Sequence, residues 1–143
     1  MKIYIASPLF TAEEKKIITE VAAILHKAGF ETYLPMENDV PNAWSYPNYI
    51  WASKMFTLDR EAIDDCDAVL CIYYGMNSDS GTAWEVGYSF AKNKNVIIYH
   101  HYDTRIEHGS LMICNGASAN VISMEDIPNA IGCSRDYGLP YQS

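Results

Sequence analysis

Short apolar segments with the character of β-strands alternate with amphipathic segments along most of the chain. The strand-like segments are KIYIAS, FETYLP, DAVLCIYY, NVIIYHH and ANVIS. The third is apolar at successive positions, as expected for a central strand covered on both faces. Because strands that alternate with helices form right-handed βαβ units, we expect an α/β fold with a doubly wound, five-stranded parallel sheet.

The amphipathic segments between the strands carry helix signals. After the first strand, Thr11 with a glutamate three residues later fits a capping box, and Gly29 fits a helix stop. Further helices are predicted over 50–65 and 82–93, and 111–117 predicts a short helix or turn. Helices flanking such a sheet correspond to a flavodoxin-like arrangement.

Composition narrows the class of protein. A length of 143 residues suits one domain over 1–143, and 49% apolar with 20% charged residues excludes disorder. A net charge of −8 disfavours nucleic acid and anionic membrane surfaces as partners. No apolar segment approaches membrane-spanning length, no signal peptide is visible, and the four cysteines form no CxxC pair. We therefore expect a soluble, cytoplasmic protein with reduced, buried thiols.

Ligands of doubly wound folds bind at the carboxyl ends of the strands. The loops that follow the first four strands are 7–10, 35–48, 75–81 and 102–112. The second is long and rich in turn-forming and aromatic residues, and loops of this length are often functional. The sequence therefore predicts that the functional site is built from these four loops and the helices next to them.

The segment SDSGTAWEVGYSFA, residues 78–91, predicts a turn and a buried helix that contains a lone acid, Glu85. If the helix begins at Gly81 or Thr82, Glu85 lies in its first turn, where the helix dipole stabilises a carboxylate by about 0.3–1 kcal/mol. A T-x-x-E capping box with Thr82 would make this role purely structural. The apolar surroundings of Glu85, and the close backbone approach that Gly81 allows, favour a role towards a ligand.

Two aspartates accompany Glu85. Asp79 precedes it in the same loop, where a solvated turn residue is the ordinary interpretation. Helical spacing places Asp59 on the apolar stripe that contains Phe56 and turns Arg60 away from it. Carboxylates that share a cleft are typical of glycosidic chemistry, in which one attacks or stabilises the sugar and another moves a proton.

Several other chemistries are disfavoured. GTAWEVG is not the G-x-G-x-x-G fingerprint, and a Walker A segment and a G-x-S-x-G elbow are absent from the sequence. The four histidines have no metal-ligand spacing with the cysteines. A carboxylate-based enzyme with an aromatic-lined cleft remains.

The chain resembles the nucleoside 2-deoxyribosyltransferase family over about residues 2–124. KIYIASPLF, LDREAIDDCDAVL, DSGTAWEVGYSFAKNKNVI and SLMI followed by GA occur in the family's order. The third segment closely matches the family pattern D-x-G-[TLS]-x-x-E-[LVI]-G. The resemblance implies that a glutamate attacks the anomeric carbon of a 2′-deoxyribonucleoside and releases the base, and that a second base then takes the deoxyribosyl group.

Residue by residue, the resemblance implies that Glu85 is the nucleophile and that Tyr4 orients it by a hydrogen bond. Asp59 would bind the nucleobase and supply its proton, Asp79 would hold the 5′ end of the sugar, and Phe10 would stack on the base. We expect a helix N-terminus to keep the nucleophile ionised and an apolar wall to exclude water. The preference for purines or pyrimidines stays open.

The remaining assignments concern the edges of the site. Asp39 would line the base pocket, and Gly81 would allow the substrate to approach the backbone. Ser110 stands where the family usually has an asparagine that reaches the sugar from a neighbouring subunit, and Met112 of the same segment is assigned to substrate binding. A C-terminal aromatic, Tyr137 or Tyr141, would enter the site. The resemblance thus implies a homo-oligomer with a shared site, nucleosides and nucleobases as ligands, and no metal or organic cofactor.

Two alternatives to transfer remain. Ser110 resembles the corresponding residue of the related deoxynucleoside 5′-monophosphate N-glycosidases, which transfer to water. Those hydrolases tend to have serine in place of Asp79 and an arginine in the first loop, and a carboxylate facing a phosphate without a cation is unfavourable. The second alternative is a non-catalytic nucleotide-binding protein, because fold does not determine function.

Overall fold

A computed structural model of the protein describes residues 1–133 and Gly138, without the side chain of Asn77. Tyr137 and Tyr141, the two candidates for a C-terminal aromatic in the site, lie outside the described residues.

Strands and helices alternate along the described residues. The strands are β1 (Lys2–Ala6), β2 (Glu31–Tyr33), β3 (Ala68–Tyr73), β4 (Asn95–His100) and β5 (Ala119–Val121). The helices are α1 (Ala12–Lys27), α2 (Asn48–Asp65), α3 (Ser80–Ala91), α4 (Leu111–Asn115) and α5 (Ile127–Gly132). All strand pairings are parallel, in the order β2-β1-β3-β4-β5. The predicted doubly wound, five-stranded parallel sheet is therefore confirmed, with its topological switch point between β1 and β3.

Local signals determine the ends of α1 as predicted. The Thr11 hydroxyl accepts from the Glu14 N–H at 3.1 Å, and the Glu14 carboxylate accepts from the Thr11 N–H at 2.9 Å. Gly29 follows the helix with φ of +92°, a conformation that costs glycine little. The capping box and the helix stop are both present.

Three helix predictions differ from the structure. α2 begins at Asn48, two residues earlier than predicted, and α3 begins at Ser80. α5 was not predicted from the sequence. It buries Ile127, Ala130 and Ile131 at helical spacing, but six residues are too few for a periodic signal.

The sheet divides the core into two layers. Side chains of Ile3 and Ile5 on β1 pack with α1 and α5, whereas Tyr4 and Ala6 point to the opposite face and pack with α2. All six residues of β3 are buried, because helices cover both faces of this strand. Tyr4 is therefore directed from the centre of the sheet into the layer that contains α2 and α3.

None of the helices in the described part of the chain is long and apolar enough to cross a membrane.

Candidate active site

A cleft of about 540 Å³ lies between α2 and α3. Its lining residues are Phe56, Asp59, Arg60, Ile63, Ser80, Gly81, Trp84 and Glu85. The structure thus brings together the two carboxylates predicted on separate helices, Asp59 and Glu85, and places Gly81 beside them. The sequence paired Glu85 with Asp79 as well, and Asp79 is not among the lining residues of this cleft.

The N-terminus of α3 is capped by Asp79 and not by the Thr82–Glu85 pair, which the sequence left open as a purely structural role for Glu85. Asp79 is the N-cap residue, and its Oδ2 accepts from the Thr82 N–H at 2.9 Å and the Thr82 hydroxyl at 3.1 Å. The T-x-x-E capping box of Thr82 and Glu85 is therefore wrong. Since α3 begins at Ser80, Glu85 lies in the second turn, beyond the end of the helix where the dipole acts most strongly.

Glu85 is held from the centre of the sheet. The fully buried Tyr4 donates a hydrogen bond from its hydroxyl to Glu85 Oε2. The hydrogen bond that the resemblance implies is therefore present, and its part in catalysis stays a prediction. Burial, followed by the nearby Glu85 carboxylate, raises the pKa of Tyr4 well above its usual range, so the tyrosine keeps its proton and acts as the donor.

The protonation of Glu85 differs from the expectation. Burial raises the pKa of Glu85 to about 7, the Tyr4 hydrogen bond lowers it, and the negative charges of Asp59 and Asp79 raise it further. Desolvation thus works against the ionised form that the sequence predicts, and Glu85 lies beyond the first turn of α3, where a helix N-terminus would stabilise it. Tyr4 is the group that stabilises the carboxylate form.

Asp59 combines burial with an unused hydrogen-bond acceptor. Burial raises its pKa to about 6. Its Oδ1 atom is buried and accepts no hydrogen bond from the described part of the protein. A raised pKa increases the fraction of molecules in which Asp59 carries a proton near neutral pH, as a general acid requires.

Two aromatic side chains form one wall of the cleft. Phe56 and Trp84 meet edge to face with ring centroids 5.1 Å apart, and they are 51% and 47% exposed. Trp84 also stacks on Tyr88 at 5.2 Å with an interplanar angle of 7°, and the Tyr88 hydroxyl donates to Asp64 Oδ1 at 2.7 Å. The indole is thus held in place beside both carboxylates, and the wall suits a flat, aromatic ligand.

Arg60 also lines the cleft, although the helical spacing turned it away from Asp59. Its ion pair with Asp64 has a separation of 4.0 Å, and both side chains are about one-third exposed. Such a pair contributes little stability, so the long arginine side chain can extend towards the cleft. Arg60 thus forms part of the lining of the cleft, contrary to the expectation, while its guanidinium pairs with Asp64.

Phe10 and Asp79 lie next to the cleft. Together with Pro8, Glu14 and Tyr74 they line a separate depression of about 190 Å³. The Phe10 N–H donates to Glu14 Oε1 at 2.9 Å, which draws this loop towards α1 and leaves the ring 76% exposed. The stacking of Phe10 on a base, and the contact of Asp79 with a sugar, stay predictions.

Asp39 is not among the residues that line the cleft. It is exposed, and its Oδ1 accepts from the Val40 N–H at 2.7 Å and from the Trp51 indole N–H at 3.0 Å. In this structure Asp39 organises the long loop after β2, and its contact with a base stays a prediction.

Ser110 and Met112 lie on the other flank of α3. The Ser110 hydroxyl caps α4, and its N–H donates to the Tyr73 hydroxyl at 2.7 Å. Both residues, with Val86 and Phe90, line an apolar groove of about 490 Å³, where Met112 is 78% exposed. These residues do not line the cleft of Glu85, and their contact with a substrate stays a prediction.

Sequence reasoning missed Trp84 and Arg60 as lining residues. The available signal for Trp84 was its position next to Glu85 and four residues before Tyr88, which places two aromatic rings on one helical face. No group of three or more histidine, cysteine or acidic side chains that could hold a metal ion occurs among residues 1–133.

Comparison with known proteins supplies the family. The nucleoside 2-deoxyribosyltransferase family model matches residues 3–129. A comparison with curated protein sequences finds no match to this chain.

Solved structures with a similar fold agree with the family match. A 2-deoxyribosyltransferase from Bacillus psychrosaccharolyticus has a TM-score of 0.84 and 29% identity, over 99% of this chain and 100% of that one. A conserved protein from Enterococcus faecalis has a TM-score of 0.75 and 25% identity, over 92% of this chain and 97% of that one. A CMP N-glycosidase from Clostridium botulinum shares the fold, with a TM-score of 0.59 and 19% identity over 92% of this chain and 99% of that one. Because the family model covers most of its length, the chain belongs to the nucleoside 2-deoxyribosyltransferase family.

Proposed function

We propose that this protein transfers the 2-deoxyribosyl group of a nucleoside from one nucleobase to another through a covalent ester on Glu85. One observation carries the proposal: Glu85, held by a hydrogen bond from Tyr4, shares a cleft with Asp59, and burial raises the pKa of both carboxyl groups. One carboxyl group can then act as the nucleophile while the other exchanges a proton with the base.

In the first step a carboxylate oxygen of Glu85 bonds to C1′ of the nucleoside. The bond between C1′ and the base nitrogen breaks, its electron pair goes to the base, and a proton from Asp59 neutralises that charge. The step requires Glu85 ionised and Asp59 protonated. In the second step the nitrogen of another base attacks C1′, loses a proton to Asp59 and releases the Glu85 carboxylate.

The two carboxyl groups titrate as a pair, because the charge of Asp59 raises the pKa of Glu85. Between about pH 6 and pH 7 the pair holds about one proton. Only the molecules with that proton on Asp59 are competent for the first step. A base that hydrogen-bonds to protonated Asp59 would favour this arrangement, so substrate binding itself would select the reactive form.

The surroundings of the pair suggest how a nucleoside is held. The base would lie against Phe56 and Trp84, close to Asp59, while the second oxygen of Asp79 would face the 5′-hydroxyl. A neighbouring subunit packed on the apolar groove beside α3 would bring its own Ser110 segment to the site. We thus propose a homo-oligomeric enzyme of nucleoside salvage in the cytoplasm.

A second candidate function is hydrolysis of deoxynucleoside 5′-monophosphates. Arg60 on the lining of the cleft favours it, since its guanidinium, released from the weak pair with Asp64, would supply the cation that the first loop lacks. In this reaction water, instead of a second base, would attack C1′ of the Glu85 ester.

A chromatographic assay separates the candidates. We expect 2′-deoxyinosine with adenine to give deoxyadenosine, and a pyrimidine pair is run in parallel. Glu85→Ala should abolish transfer, whereas Glu20→Ala, an exposed acid on α1, should leave it unchanged. Intact-mass spectrometry after incubation with nucleoside alone should detect one added deoxyribosyl group on the wild type. Full transfer by Glu85→Ala would refute the mechanism, and free base from deoxyinosine 5′-monophosphate without exchange would establish the hydrolase.

A further inference from the structure

Tyr4 has a counterpart on the neighbouring strand. Tyr33, the last residue of β2, lies opposite Tyr4 in the parallel register. The two rings stack with centroids 5.5 Å apart and an interplanar angle of 10°. Their hydroxyl groups therefore extend into the same helical layer, side by side. The hydroxyl of Tyr4 serves Glu85 on α3, and the position of Tyr33 directs its hydroxyl towards α2.

Packing places Tyr33 beside Asp59. Tyr33 packs against the apolar cluster that contains Ala62 and Ile63 of α2. These two residues lie three and four positions after Asp59, so all three share one face of the helix. Burial raises the pKa of Tyr33, and the negative charge of Asp59 raises it further. The Tyr33 hydroxyl is thus protonated, and it lies close enough to Asp59 for the two groups to interact electrostatically.

Two buried polar atoms in this region have no partner. In residues 1–133 the Tyr33 hydroxyl and Asp59 Oδ1 belong to the three buried side-chain atoms without a hydrogen bond. One is a donor and the other an acceptor, and an unsatisfied buried polar group is unfavourable. We propose that Tyr33 is the positioning residue for Asp59, donating a hydrogen bond to Oδ1 as Tyr4 donates to Glu85. The proposal rests on the proposed function in that Asp59 is the acid of the reaction.

This hydrogen bond would perform two tasks. It would occupy Oδ1, so that Oδ2 carries the proton towards the base. It would also stabilise the ionised form and make Asp59 a stronger acid. The other ionisable groups around Asp59 are Arg60 on the same helix, Glu85 across the cleft and Tyr4 on β1. Tyr4 is already engaged with Glu85, so among residues 1–133 Tyr33 is the tyrosine that remains to interact with Asp59.

The test compares Tyr33→Phe with a matched control, Tyr74→Phe. The Tyr74 hydroxyl is also buried and unpartnered, but its ring packs with the layer of α1 on the opposite side of the sheet. The proton affinity of Asp59 is measured by NMR titration of ¹³C-labelled carboxyl groups, with Asp59→Asn identifying the signal. We expect Tyr33→Phe to raise this affinity roughly tenfold, because a hydrogen bond to the carboxylate is lost. The control should not change it.

An unchanged proton affinity in Tyr33→Phe would overturn the proposal, as would an equal change in Tyr74→Phe. If Tyr33→Phe does not fold, the ring-carbon shift of Tyr33 in the wild type is followed instead. That shift should report the titration of Asp59 and lose this response in Asp59→Asn, and a ring carbon indifferent to Asp59 would overturn the proposal.

The outcome is separable from that of the proposed function. Loss of transfer in Glu85→Ala together with an unchanged Asp59 in Tyr33→Phe would refute only the positioning role. Transfer retained by Glu85→Ala together with a shifted Asp59 would refute only the mechanism. When the mechanism and the positioning role are both correct, Tyr33→Phe changes the proton affinity of Asp59 by the same factor in the pH–rate profile as in the NMR titration.

Discussion

Replacement of Tyr4 by phenylalanine tests how the cleft keeps a buried carboxylate reactive. The ring of Tyr4 is fully buried and stacks on Tyr33, and phenylalanine preserves both features. The substitution therefore removes little more than the hydroxyl that donates to Glu85. Any change in activity then reports the value of that hydrogen bond to the proposed nucleophile.

The size of the effect follows from the pKa of Glu85. A hydrogen bond to a charged group is worth about 1.5–3 kcal/mol, so its loss should raise the proton affinity of Glu85 roughly tenfold to a hundredfold. With a pKa of about 7, half of the wild-type molecules hold Glu85 ionised at pH 7. The ionised fraction in Tyr4→Phe should fall to roughly a tenth or a hundredth, and the transfer rate at pH 7 should fall roughly five- to fiftyfold.

The assay is the initial rate of deoxyadenosine formation from deoxyinosine and adenine between pH 5 and pH 10. Tyr99→Phe, which removes the hydroxyl of a buried ring on the other side of the sheet, is the control. The deficit of Tyr4→Phe should shrink steadily above pH 8 as Glu85 ionises. A loss at pH 7 that persists in full at pH 10 would refute the argument, because the hydroxyl would then act by something other than charge stabilisation.

Three further substitutions test the site. The pKa of Glu85 is about 7 against an ordinary 4.5, so its charge destabilises the folded state increasingly as pH rises from 4.5 to 7 and fully above that. Glu85→Gln should therefore raise the unfolding free energy by roughly 3 kcal/mol at pH 8 and by little at pH 4, and denaturant titrations that show equal gains would contradict this. Trp84→Leu should raise KM for the nucleoside roughly five- to a hundredfold with a smaller effect on kcat, since stacking on a base contributes about 1–3 kcal/mol. The control Trp44→Leu should leave KM unchanged. An unchanged KM in Trp84→Leu would show that Trp84 does not contact the base. Asp79→Ser should keep the helix cap and its thermal stability while increasing turnover of 5′-monophosphates, whereas Asp79→Ala should cost about 1 kcal/mol of stability. An unchanged turnover of 5′-monophosphates by Asp79→Ser would contradict the predicted contact of Asp79 with the 5′ end of the sugar.

The fold could be predicted from the sequence where the signals that define an element lie close to that element in the chain. The capping box at Thr11, the stop at Gly29 and the apolar third strand each lie within a few residues of the element they define. The start of α3 could not be predicted from the sequence, because DSGTAWE contains two overlapping capping patterns, one centred on Asp79 and the other on Thr82. The choice between them involves Tyr4, about eighty residues away, which engages the carboxylate that the second pattern would need.

The candidate site follows the same rule. Asp59 and Glu85 were identified because each lies in a recognisable segment, and parallel-sheet topology brings such segments to one edge. The sequence did not identify Trp84, Arg60 or Tyr33. Their positions depend on how α2, α3 and β2 pack against each other. The pKa of Glu85 also required the structure, because burial is a property of the assembled layer.

The two flanks of α3 have a consequence for protein engineering. Glu85 faces the cleft, and the next residue, Val86, faces the apolar groove on the other side of the same helix. A helix of twelve residues shifts as one rigid piece, so a repacked groove would displace the carboxylate relative to Tyr4 and Asp59. Substitutions made in this groove to change assembly or solubility are therefore expected to change activity as well, even when every substituted side chain is remote from the substrate.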